Sequence, residues 1–490
     1  MNTRTLRAAA PAAAIALAAF LAGCASPGPS KPPAPLLQAP AVGLQADAPT
    51  ALQVAPDWWR SFSDATLDGL VERALAEQPN LQAAQARIAR AAAAAEAAGA
   101  SSRPGVNAAF DATRQRFSAN GIYPPPLAGS VRTTANLQAG LQWELDFFGR
   151  HRAALEAALG AQRAAQADAA AARTLLAAQV TRAYVALAQL QAQREVARQA
   201  LAQREGLLSL VQQRVRNGLD TSVELRQSEG SLPEARLQIE QLQEQIALVR
   251  HQLAALTAQP PQALASLDAR LAALQPLALP AVLGADLLGR RPDIVAARER
   301  VEAAAQDVAV ARTQFYPDVN LTAFVGFNAI GLDSLVQAGS RQWGVGPAIR
   351  LPILDAGRLR ANLHARQADL DAAVLAYNNA LLEAVREAAD ALTTLQSLQA
   401  QRREQAAAQE SAEAAYGLAV QRYGAGLSSR LTVLSAEGPL LAQRRLAAEL
   451  QARSLDAQVA LLRALGGGWQ TEGPAAATTP LATATPVAAR

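Results

Sequence analysis

The sequence predicts a mainly α-helical protein with a small membrane β part, made of one unit built twice. Three observations carry this. Two stretches of roughly 65 residues, Gly149 to Asn217 and Gly357 to Tyr423, hold no proline and read as very long helices. Four other segments alternate apolar and polar residues at period two. Landmarks in the first half recur in the second at a nearly constant offset.

The chain has 490 residues, 51% hydrophobic but only 4% aromatic, with 45 Lys+Arg against 41 Asp+Glu. Apart from Lys31 every basic residue is arginine. A formal charge of +4 on so long a chain argues against a nucleic-acid partner. One cysteine makes no internal disulfide and no cysteine-based zinc site. The three histidines, 151, 251 and 364, are too scattered for a metal cluster. The alanine excess favours helix but buries little surface per residue. Such helices need close approach or oligomerisation to hold together.

Residues 1–23 read as an address. Arg4 and Arg7 precede an apolar run through residue 22, and Leu21-Ala22-Gly23-Cys24 follows the lipobox pattern of a secretory lipoprotein signal. The run is short for a spanning helix. Cleavage before Cys24 leaves that residue as the acylated N-terminus, and two or three chains anchor stably. It also removes Arg4 and Arg7, taking the charge from +4 to about +2. Residues 24–56 form a lipidated, proline-rich linker, extended or disordered. The glycine run Gly466-Gly467-Gly468 reads as a terminal flexible run, and the tail at 467–490, which begins within it, as disordered.

Between them lie two repeats, 57–260 and 261–466. Gln213-Arg214-Val215-Arg216-Asn217-Gly218-Leu219 resembles Gln421-Arg422-Tyr423-Gly424-Ala425-Gly426-Leu427 at an offset of 208. Gly149-Arg150 pairs with Gly357-Arg358 in the same way. Each half reads helix, strand, strand, long helix, turn, helix. Residues 64–101 carry apolar positions at helical spacing, with Leu67, Leu70, Val71, Ala74 and Leu75 first. The first long helix reaches about 100 Å at ~1.5 Å per residue. A return helix covers 220–256 with a break or kink expected near Pro233. The second half repeats this at 291–315, 357–423 and 428–465, the last interrupted at Pro439. Helices of this length point to coiled coils or a helical barrel.

The strands are predicted at 105–117, 131–146, around 319–328 and at 342–351. In 131–146 the odd positions run Val131, Thr133, Ala135, Leu137, Ala139, Leu141, Trp143, Leu145. The even ones run Arg132, Thr134, Asn136, Gln138, Gly140, Gln142, Glu144, Asp146. Strands of ten residues or more with one apolar and one polar face are the mark of a membrane barrel with a wet lumen. A soluble sheet packed on helices is the alternative. Four strands cannot close a barrel, and an open edge cannot face lipid. Two copies give eight strands, too few for an aqueous channel, so the count points to a trimer. The loops 118–130 and 330–340 would face outside.

Specific residues then resemble a known family. Asp57-Trp58-Trp59-Arg60-Ser61-Phe62, with Asp64, Leu67 and Leu70, looks like the start of TolC-family outer-membrane efflux lipoproteins of the NodT/OprM-like branch. Leu287-Leu288-Gly289-Arg290-Arg291-Pro292-Asp293-Ile294 resembles that family's most recognisable motif, and Phe315-Tyr316-Pro317 its entry to the third strand. The resemblance spans about Ala55 to Gly466. It implies a homotrimer whose twelve-stranded outer-membrane barrel, four strands per chain, continues as a long α-helical barrel into the periplasm of a Gram-negative bacterium. It implies a passive duct for drugs or other small toxic compounds, working with a periplasmic adaptor and an inner-membrane resistance-nodulation-division transporter.

The resemblance also places the periplasmic end at two helix turns, Asn217-Gly218-Leu219 and Ala425-Gly426-Leu427, which it makes adaptor contacts. Glycine suits such a turn. The aperture candidates are Arg422, Tyr423, Leu431, Leu434, Ser435 and Glu437. Many relatives carry an acidic residue where Ser435 stands. Glu437 either replaces it or lies on a solvated helix face.

No GxxxxGK[ST], His-Glu-x-x-His or G-x-S-x-G motif occurs, so an enzyme is not expected, and no cofactor beyond the lipid on Cys24. His364 reads as packed or solvated. Energy for transport must come from a partner. Two other readings stand beside the efflux channel. One is a channel for type I protein secretion or metal export. The other is a periplasmic scaffold lipoprotein without a pore, against which the paired alternating strands count.

Overall fold

The computed structural model describes residues 32–37, 54–276, 291–355 and 357–469. The signal peptide, Cys24, most of the linker, Leu287 to Arg290 and the tail from residue 470 lie outside the described residues. In chain order the helices are α1 (Ala65–Glu77), α2 (Pro79–Ala100), α3 (Arg150–Arg216), α4 (Ser222–Leu256), α5 (Pro292–Thr313), α6 (Arg358–Gly424) and α7 (Arg430–Ala464). The strands are β1 (Gly105–Arg116), β2 (Val131–Glu144), β3 (Asp318–Ile330) and β4 (Arg341–Arg350). Both long helices have 67 residues and both return helices 35. The described chain falls into two compact units.

The first unit comprises described residues 32–36, Arg87–Gln166 and Ala296–Tyr377. Its centre is one antiparallel sheet in the order β1-β2-β3-β4. The helical part packs through small residues. A Cβ on Gly160 of α3 would lie 3.1 Å from the Ala303 Cβ of α5, and Arg163 reaches Glu299 beside it at 2.6 Å. Alanine-rich helices gain contact this way, because short side chains let the axes approach. Val308, Ala311 and Phe315 bury against Leu359 and Leu363. Ala34 of the linker donates its N–H to Asp371 at 2.9 Å.

The second unit comprises described residues 37, 54–86, 167–276, 291–295 and 378–469. Its core explains the Trp-Trp segment. Trp58, Trp59 and Phe62, on a 3-10 turn, bury against Leu67, Leu70 and Val71 of α1 and Val180, Tyr184 and Leu187 of α3. Ile246 and Leu253 of α4 and Leu455, Val459 and Leu462 of α7 complete it. Asp64 caps α1 through the N–H groups of Thr66 and Leu67 and accepts the Tyr184 hydroxyl at 2.9 Å. Arg291 of the Arg-Pro-Asp motif is buried, pairing with Asp293 at 2.7 Å and Glu387 at 2.9 Å. Burial works against its charge, but the two carboxylates outweigh it and raise its pKa.

Four expectations are corrected. The helix over 64–101 is two helices, because Gln78 turns extended before Pro79. Pro233 and Pro439 do not end α4 or α7. Each proline loses one helical hydrogen bond, but the helix continues past it, with Leu232 and Ala235, and Leu440 and Leu441, buried beside it. The run Gly466-Gly467-Gly468 is not a flexible tail: all three are buried with positive φ. A Cβ at Gly467 would sit 2.2 Å from Thr174, and one at Gly468 2.2 Å from the Ala55 carbonyl. Strands β2 and β4 also stop short of the expected ends, at Glu144 and Arg350.

Candidate functional site

Two features can carry function: the faces of the sheet and the two helix turns. In the sheet, directly opposed residues share a face. Val106 opposes Leu141, Phe110 opposes Leu137, Leu141 opposes Ala323, Val325 opposes Trp343 and Val319 opposes Ile349. The apolar positions of all four strands therefore form one continuous face. Val106, Phe110, Val325, Trp343, Val345 and Ile349 are exposed on it, Trp343 at 77%. The opposite face carries Asn107, Asp111, Asn136, Gln138, Gln142, Asn320, Thr322 and Gln342, and on it Gln342 donates to Asn136 at 2.8 Å. Phe324 and, at the end of β3, Ile330 are its large apolar exceptions, and Phe324 lies over Gly344, where a Cβ would be 2.6 Å from the ring.

A soluble protein does not leave so extended an apolar surface to water. The face is suited to lipid and its reverse to a wet lumen. Strands β1 and β4 are the edges of the sheet and bond only one neighbour each. No helix among the described residues is long and apolar enough to cross a membrane.

The turns are built alike. Gly218 has φ +73° and Gly426 φ +72°. The Leu219 N–H bonds the Arg214 carbonyl at 2.9 Å and the Gly218 N–H the Val215 carbonyl at 3.1 Å. Leu427 to Arg422 (2.8 Å) and Gly426 to Tyr423 (3.0 Å) repeat the pattern. These are Schellman closures, with glycine where the left-handed conformation is required. Asn217, Gly218, Leu219, Ala425, Gly426 and Leu427 are all exposed. One turn of helix beyond, Val223 and Leu431 are exposed too. Each turn thus presents a matched apolar pair, Leu219 with Val223 and Leu427 with Leu431.

The six aperture candidates do not stay together. Arg422, Leu431 and Ser435 are exposed and Leu434 is half-buried. Tyr423 and Glu437 are buried inside the helix packing. Glu437 accepts from Arg204 at 2.9 Å, so it is neither a free pore carboxylate nor on a solvated face. Tyr423 donates to Asp220 at 2.5 Å, with the Arg214 guanidinium 4.7 Å from its ring centre. Arg214 also grips Asp220, at 2.9 and 3.2 Å. Burial, then the Asp220 carboxylate, pushes the Tyr423 hydroxyl up to about 12. Burial works against ionisation of Asp220, but Arg214 and Tyr423 overcome it and hold its pKa below the usual carboxylate range. Sequence reasoning missed Arg214 and Asp220, which flank the Asn217-Gly218-Leu219 turn. His364 is exposed.

Comparison with known proteins agrees with this geometry. The family model described as "Outer membrane efflux protein" matches residues 70–259 and 283–467. The chain is 34% identical over 471 residues to the multidrug resistance outer membrane protein MdtQ of Escherichia coli O157:H7, covering 92% of this chain and 96% of that one. It is 32% identical over 463 residues to the pyoverdine export outer membrane protein OpmQ of Pseudomonas putida, covering 94% and 97%. Among solved structures, the outer membrane protein VceC of Vibrio cholerae superposes with a TM-score of 0.81 at 37% identity, over 85% of this chain and all of that one. Two matched segments across most of the chain, on a fold with one lipid-suited sheet, settle the class: the chain belongs to the outer membrane efflux protein family and is a channel protein, not an enzyme.

Proposed function

We propose that three copies of this chain close a twelve-stranded barrel in the outer membrane and form the passive exit duct of a tripartite pump for drugs and other small toxic organic compounds. The sheet carries this reading: it has one continuous apolar face, one polar face and two edges without partners. Three sheets joined edge to edge leave no unpaired strand in lipid. The turns at Asn217-Gly218-Leu219 and Ala425-Gly426-Leu427 dock a periplasmic adaptor, with Leu219, Val223, Leu427 and Leu431 as the apolar contact. Arg422, Leu431, Leu434 and Ser435 border the aperture. An inner-membrane transporter of the resistance-nodulation-division type supplies the energy. Cys24 carries the lipid anchor.

The test is the protein extracted in mild detergent, examined for assembly mass and for conductance in a planar bilayer. Expected is a heat-dissociable trimer with small, flickering current, enlarged by Leu431→Ser. A monomer without conductance rejects the duct and favours a scaffold lipoprotein.

A further inference from the structure

Three arginines and two carboxylates meet among the helices beside the turns. Asp220 is taken by Arg214 and Glu437 by Arg204. The third cation, Arg430 at the start of α7, has no such partner. It is 1% exposed, and none of its Nε, Nη1 and Nη2 atoms has a hydrogen-bond partner among the described residues. The groups that act on it electrostatically are Tyr423, Glu437, Arg204 and Tyr416, and Asp220 feels its charge in turn. Of these, the two carboxylates are already engaged.

A guanidinium cannot shed its proton, and a buried, unpaired one carries a large desolvation cost. Water can satisfy its hydrogen bonds but supplies no charge. A side chain this buried is also out of reach of a neighbouring chain's carboxylate. The Ser428 hydroxyl, two residues earlier, is buried without a partner. The N-cap Ser429 makes no side-chain bond to α7, whereas the corresponding cap of α4 has a complete capping box of Thr221 and Glu224. This end of α7 therefore has surplus donors and surplus positive charge.

We propose that Arg430 holds one small monovalent anion of the halide class inside the helix packing beside the turns. The charge count calls for a single negative charge, and a divalent oxyanion would overshoot it. A weakly hydrated halide also suits a guanidinium, itself weakly hydrated, buried close to the Tyr423 and Tyr416 rings. The site does not depend on the trimer or on the adaptor.

The full-length protein is crystallised in bromide, and its thermal midpoint is followed in chloride and in gluconate at equal ionic strength. Expected is an anomalous bromide peak within hydrogen-bond distance of the Arg430 guanidinium. The midpoint should rise with halide in the natural chain and stay flat in Arg430→Met or, should that variant not fold, Arg430→Gln. A peak with no halide-dependent midpoint is an adventitious ion only and overturns the proposal. So does an Arg430 solvated by water alone in bromide crystals, or a midpoint that follows halide equally in the neutral variant.

Discussion

At the scale of single residues, Asp220 and Tyr423 join the two turns. Asp220 precedes α4 and Tyr423 lies near the end of α6, so their hydrogen bond ties one turn to the other. The folded pKa of Asp220 is depressed. Its contribution is therefore full above the ordinary carboxylate value near ~3.9 and is lost as pH falls through the lower folded value. The current of the isolated channel should rise as pH drops below about 4, and Asp220→Asn should show the raised current at neutral pH. An unchanged acid response in Asp220→Asn would remove this pair from the closed state. Gly218 and Gly426 make a separate case. No atom lies within 4 Å of a Cβ at Gly218, and at Gly426 only Arg214 Nη1, at 3.9 Å. The cost of Gly218→Ala is then purely conformational, about 1–2 kcal/mol, read as a lower denaturation midpoint. The glycines were legible in the sequence because the repeat marks them twice. The partners of Tyr423 and Glu437 were not, since Asp220 before α4 and Arg204 on α3 lie about 200 residues away or more and no local spacing connects them.

At the scale of elements, the strands were nearly fully legible. Period-two alternation is imposed by a two-faced environment, and each of the four segments lies within two residues of its expected position. The same logic gives a directional prediction. Val325 stands on the apolar face and Gln138, on the neighbouring strand in register with Gly326, on the polar one. Val325→Arg should cost about 2–4 kcal/mol if that position faces the bilayer midplane, while Gln138→Arg should leave assembly intact; heat-modified gel mobility reads both. The prolines in α4 and α7 misled for a physical reason. A proline's local penalty is visible in sequence, but the packing of Leu232, Leu440 and Leu441 that overrides it is tertiary. The glycine run at 466–468 misled in the same direction: small residues there permit close contact with Thr174 and Ala55 rather than freedom. Leu67, fully buried under Trp58 and Phe62, should cost about 2–5 kcal/mol on replacement by alanine, seen as a lower denaturation midpoint without change in the sheet.

At the scale of the whole molecule, one chain cannot satisfy its own sheet. The apolar face calls for lipid and the two edge strands call for neighbours, which closure between copies would supply. That closure is tested most directly by cysteines at the two edges of one sheet, Ala109→Cys on β1 with Ala348→Cys on β4, and Gly346→Cys for the adjacent register. Within one chain these edges are separated by two intervening strands at ~4.8 Å per step, beyond the reach of a disulfide. Oxidation in isolated outer membranes should therefore give covalent dimers and trimers from the double variants and neither from the single ones. Monomers alone across all registers, in protein whose sheet is intact, would contradict a barrel shared by three chains.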